Sequence, residues 1–218
     1  MPSFPEIDAA YRSAIEAPGR ELAAAFAAAR QLPVDLTGNE LTRAVLLRLR
    51  SFLLTQDLIK TELGKVYAAP AADFFVETAA FFLRVALEKQ APGLEVASEK
   101  NIVRKAGSMR PDISVWRDGK VVAAVECKTQ LGWNRDGWLE EFEAREKRLV
   151  AAFPGARPFL LVMTGSNWAG FGADQRAGRQ FFVLLREIWP REFNEATMHL
   201  VVNRFEELVH AVVSHAEV

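Results

Sequence analysis

Cysteine is almost missing from this chain of 218 residues: Cys127 is the single one, which excludes an internal disulfide and any zinc site built on several thiolates. Histidine is nearly as scarce. His199, His210 and His215 show no short ligand spacing with acids or cysteine, so none is assigned to a metal. No apolar run is long enough to span a bilayer, because Arg, Lys, Asp or Glu interrupts every candidate. Met1 to Glu6 lacks a basic segment followed by an apolar one, so no signal peptide is visible and a cytoplasmic location is expected. Neither sign of charge is in surplus: 27 Lys and Arg stand against 28 Asp and Glu, a net charge of −1. A basic coat is thereby excluded, and any nucleic-acid contact has to come from a local patch.

Half of the residues are apolar, enough for a sizeable core in one domain with an appendage. Residues 1–69 differ in character from the rest and read as a helical N-terminal region, suited to dimerisation or to clasping DNA. Ile7 to Leu32 is alanine-rich with a break at Pro18-Gly19, which predicts two short helices. Thr37-Gly38-Asn39-Glu40 matches a capping box, opening a helix through Leu54. A further short helix is expected from Asp57 to Tyr67. Residues 70–218 read as the core, beginning with a helix from Pro70 to about Lys89 whose aromatic and aliphatic residues surround much of its circumference.

The chemistry concentrates between Arg110 and Gln130. Asp118-Gly119 predicts a hairpin turn between the strands Ile113–Trp116 and Val121–Thr129. Side chains alternate along a strand, so Glu126 and Lys128 share one face while Val125 and Cys127 take the other. Folding back brings Asp112 toward that pair. Apolar residues on both faces up to Val125 place the second strand in the middle of its sheet. Ionised groups at the end of such a strand require a counter-charge. Hard divalent cations prefer carboxylate, carbonyl and water oxygens, which Asp112 and Glu126 can supply.

Pro111-Asp112 followed across a hairpin by Glu126-Cys127-Lys128 resembles the signature of the PD-(D/E)xK nuclease superfamily, the restriction-endonuclease-like fold. The resemblance implies an α/β architecture, a mixed β-sheet flanked by helices, with residues 1–69 outside it. It implies Mg²⁺, with Mn²⁺ as a substitute, held by Asp112 and Glu126 with the Cys127 carbonyl as a further ligand. Glu77, on the preceding helix, is the residue that would join them directly or through water. Lys128 would orient or activate the attacking water, and the products would be a 5′-phosphate and a 3′-hydroxyl. The activity so implied is that of a DNA endonuclease, a type II-like restriction or host-defence enzyme acting as a homodimer. A repair or recombination nuclease on structured DNA and a non-catalytic DNA-binding module of the same fold stay open. A Glu126 turned into a dry cluster with an arginine, with no room for phosphate, would count against all cutting.

Around the motif, Gln130 shares the face of Glu126 and Lys128 and is a candidate contact to water or phosphate. Lys100, Arg104, Lys105 and Arg110 precede Asp112 and could take phosphates without reading bases. Leu94–Ala97 and Asn101–Val103 read as short extended segments. Trp138–Phe153 reads as a helix and Pro158–Thr164 as a buried strand; Leu131–Gly137 is a loop holding Trp133, Asn134 and Arg135, and the long loop Trp168–Gly178 is a candidate for DNA contact. Gln180–Trp189 is expected to be helical, Met198–Val202 a last strand, and Arg204–His215 an amphipathic helix.

Overall fold

Val121 to Val125 carries apolar side chains on both strand faces, and the strand it forms, β3 (Lys120–Gln130), lies in the middle of a five-stranded sheet. The computed structural model describes residues 2–103, 109–131, 137–166 and 173–217. The sheet is mixed. β1 (Glu95–Ser98) and β2 (Ile113–Arg117) run antiparallel to their neighbours, whereas β3, β4 (Arg157–Thr164) and β5 (Phe181–Leu185) are mutually parallel. At the hairpin tip Asp118 and Gly119 have φ of +50° and +74°, the two successive positive values that a type I′ turn demands. The turn pairs Arg117 with Lys120, and a register shift between Val115 and Trp116 then brings Ile113 opposite Val125. Asp112 therefore stands one step from the rung that Glu126 begins.

Helices cover both faces. α5 (Trp138–Ala152) buries Phe142 and Leu149 against the face bearing Ala124, Leu160 and Val162. On the other face α4 (Ala72–Gln90) packs on β1 and β3, and α6 (Phe205–Ala216) brings His215 to the Phe159 ring. Phe75, Leu83, Phe159, Phe182 and Phe205 are all fully buried. The expected mixed sheet flanked by helices, with helices ahead of it, is the fold observed.

The chain divides into two compact units, Met1–Val34 and Asp35–Val218, so the division falls earlier than the boundary at residue 69 read from composition. The reason is α3 (Glu40–Glu62), which buries Val45, Leu46, Leu49 and Leu53 and packs on α4 and α6. The helix expected at Asp57–Tyr67 is largely the continuation of α3. In the first unit α1 (Phe4–Ile7) and α2 (Ala9–Ala29) bury no residue, and α2 runs through Pro18 rather than breaking there. Alanine-rich flanks of high helix propensity hold it together.

Four further expectations change. The Thr37 capping box does not form: the Thr37 amide and hydroxyl both bond the Asp35 carboxylate, at 2.8 and 2.7 Å. The start of α3 is capped from α6 instead, by Glu206, which accepts from the amides of Leu41 at 2.7 Å and Thr42 at 3.2 Å and from the Thr42 hydroxyl. Gln180–Trp189 is not a helix; its apolar stretch is β5, every residue of it buried. Met198–Val202 is mainly a 3-10 turn, Glu195–Leu200, which meets β5 through an isolated bridge from Val201 to Leu185. Of the two extended segments before the hairpin, the first forms β1 and Asn101–Val103 forms no strand.

Candidate active site

Asp112 is fixed at both ends. Its main-chain carbonyl accepts from the Ser98 hydroxyl and the Glu99 amide, each at 3.0 Å. Its Oδ2 accepts from the Cys127 amide at 2.8 Å. Glu99, with φ of +49°, takes the left-handed conformation that side chains seldom adopt. It does so at the end of β1, where its amide reaches the Asp112 carbonyl. The hairpin thus ties Asp112 directly to the Glu126-Cys127-Lys128 strand.

Alternation carries Glu126 and Lys128 to the α5 face. Glu126 is 5% exposed; its Oε2 lies 3.7 Å from Lys128 Nζ and in direct contact with Arg145 Nη1. Both cations neutralise that oxygen, yet neither supplies an aligned hydrogen bond to it. Beside the pair is a void of about 30 Å³ bordered by Trp138, Glu141 and Phe142, space for about one water. Arginine contact at Glu126 is therefore present, and space on that side is small.

The room lies on the Asp112 side. A cleft of about 680 Å³ runs between α4 and the ends of β1 and β3, lined by Asp73, Glu77, Ser98, Glu99, Asp112 and the stretch from Cys127 to Gln130. Glu77 and Gln130 meet Asp112 in this cleft, and Lys128 borders both it and the smaller void. Among the described residues no three of His, Cys, Asp and Glu gather closely enough to hold an ion, so Glu77 shares the cleft with Asp112 without completing a three-acid cage. Cys127 is buried with its face away from Glu126; burial pushes its thiol well above the usual range, and the Asp112 and Glu126 charges push the same way. That thiol is inert.

Of the basic group, Lys100 sets its ammonium 4.0 Å from the centre of the Trp116 ring, and Arg110 is exposed. Arg104 and Lys105 lie outside the described residues, as do Trp133, Asn134 and Arg135 and the loop from Asn167 to Gly172. The described remainder of that loop is pinned: Arg176 bonds both oxygens of Asp174, at 3.0 and 2.9 Å, reaches Glu143 at 3.3 Å and covers the Phe181 ring. His215 Nε2 lies 2.8 Å from the Gly155 carbonyl, away from the cleft, and His199 is 2.8 Å from the Ala196 carbonyl.

Arg145 was not singled out in the sequence, although its spacing from Phe142 and Leu149 puts it on the same core-facing side of α5. An arginine there has to find a carboxylate. Asp73, Ser98 and Glu99 were likewise invisible as cleft residues, because they reach it from elements distant in the chain.

The fold and site define a mixed α/β sheet with a charged cleft at the end of its central strand. No family model matches the chain. No curated protein matches it either. A solved structure, the native BbvCI A2B2 tetramer at low resolution, aligns with a TM-score of 0.32 and 11% identity over 99% of this chain and 96% of that one. A likeness that slight bears no weight on function.

Whether these residues suit a hard divalent cation turns on their donors. The Asp112 carboxylate accepts from the amide of Cys127, the residue that follows Glu126, and the buried Glu126 Oε2 has no aligned hydrogen-bond donor among the described residues. Oxygen donors of that kind suit Mg²⁺ or Mn²⁺ in a two-carboxylate site.

Proposed function

We propose that this chain is a Mg²⁺-dependent DNA endonuclease, of the restriction or host-defence kind, working as a homodimer. The observation that carries this reading is the bond from the Cys127 amide to the Asp112 carboxylate, because it holds the two halves of the motif together. Asp112 and Glu126 would hold the ion with the Cys127 carbonyl, and Glu77 would reach it through water from across the cleft. When bound, a divalent cation neutralises phosphoryl oxygens and makes a bound water more acidic.

The protein's own groups supply the rest. Lys128, bordering both cavities, orients the attacking water and favours its hydroxide form by charge. Gln130 lines the cleft where a phosphate would lie, and Lys100, Arg104 and Arg110 would take backbone phosphates without reading bases. One observation favours a non-cutting DNA-binding module instead: Glu126 is already neutralised by Arg145 and Lys128.

Incubating supercoiled and linear plasmid with Mg²⁺, beside Asp112→Ala and Lys128→Ala proteins, separates these readings. Cleavage by the wild type that falls at least about a hundredfold in both variants is expected. Discrete fragments indicate sequence-specific cutting, and attack restricted to branched DNA indicates a repair enzyme. Identical behaviour of all three proteins leaves binding or structure alone.

A further inference from the structure

Resting on the metal-site reading above, we infer that Arg145 is a positioning residue for Glu126, competing with the divalent cation for its carboxylate and so setting the affinity of the site. Arg145 projects from the core-facing side of α5 between the buried anchors Phe142 and Leu149. There it contacts Oε2 of Glu126, the same oxygen that Lys128 approaches at 3.7 Å.

A carboxylate oxygen engaged by a guanidinium cannot also sit in the inner sphere of a divalent ion on the same side. The two cations would repel each other across a site that is nearly dry. Exchange is sterically open, because the Arg145 side chain is 38% exposed while that of Glu126 is 7% exposed. The arginine can leave toward solvent, whereas Glu126 has to stay. In the cation-free protein Arg145 therefore keeps the buried Glu126 carboxylate turned to the α5 side. Displaced, it becomes a cation at the mouth of the site, beside Lys128.

The test is Mn²⁺ binding, followed by the electron-paramagnetic-resonance signal of the free ion, in wild type, Arg145→Gln, Arg145→Lys and Asp112→Ala proteins without DNA. Arg145→Gln is expected to bind Mn²⁺ more tightly by on the order of tenfold. Arg145→Lys, which keeps the charge but loses the planar contact, is expected to lie between it and wild type. In thermal melts Mn²⁺ should raise the midpoint of Arg145→Gln more than that of wild type. A merely structural Arg145 would lower stability and leave Mn²⁺ affinity unchanged or weaker. Either of those affinities, with Asp112→Ala still abolishing binding, overturns the inference alone. Absence of saturable Mn²⁺ binding in every folded form overturns the metal-site reading and the inference with it.

Discussion

Charged residues in this protein are placed by the neighbours they meet across the fold more than by their neighbours in sequence. Glu126 and Lys128 were legible from strand alternation, and Asp112 from the hairpin, since both rest on local geometry. Arg145 was hidden among the many charges of α5, where ordinary i,i+4 pairing accounts for most of them. Asp174 and Arg176 show the same thing at a smaller scale. Arg176 lies over the Phe181 ring, 4.4 Å from its centre, and its hydrogen bonds to Asp174 hold that carboxyl below the usual carboxylate range. A carboxylate whose folded value is lowered stabilises the protein above its ordinary value of 3.8, and that contribution is lost as the pH falls through the folded value. Asp174→Asn is therefore expected to cost about 1 kcal/mol at pH 7. Urea denaturation at successive pH values should show the gap between wild type and variant closing below 3.8. A gap that persists unchanged at pH 2.5 would mean that charge has no part in it.

Among elements, α4, β2, β3, α5, β4 and α6 were readable because each announces itself through a turn, a periodic stripe or an apolar run of suitable length. β5 was not. Five consecutive buried residues give no periodicity, and a short apolar run fits a buried strand or a buried helix equally well. The start of α3 was misread for another reason: its cap comes from α6, more than 160 residues away. Glu206 is fully buried and takes three donors from Leu41 and Thr42, while the Thr42 hydroxyl accepts the Phe205 amide at 2.7 Å. Each helix start thus depends on a side chain of the other. Glu206→Ala leaves buried amide and hydroxyl donors without partners, a loss of about 3 kcal/mol. Chemical denaturation should show the midpoint falling with the slope unchanged. A loss below about 0.5 kcal/mol, within the range of ordinary surface substitutions, would show that α3 does not need this cap.

Across the whole molecule the charges balance to −1, yet they are not spread evenly. Asp73, Glu77, Glu99 and Asp112 line the large cleft, with Lys128 the basic side chain among its described lining residues. DNA carries a negative charge about every 1.7 Å of its axis. An acidic cleft of this kind repels it until cations intervene. If the cleft is where DNA lies, affinity has to be linked to divalent-ion binding, because each ion that the acids take up reverses the local repulsion. Fluorescence anisotropy with a labelled duplex, at one ionic strength throughout, should show affinity rising by at least roughly tenfold between EDTA and millimolar divalent ion. Glu77→Gln should raise the affinity measured in EDTA and narrow that difference, since it removes one repelling charge from the α4 wall without touching Asp112 or Glu126. Equal affinity with and without the ion, unaffected by Glu77→Gln, would move the DNA off this cleft and onto a basic surface elsewhere, leaving Asp112 and Glu126 with no phosphate to act on.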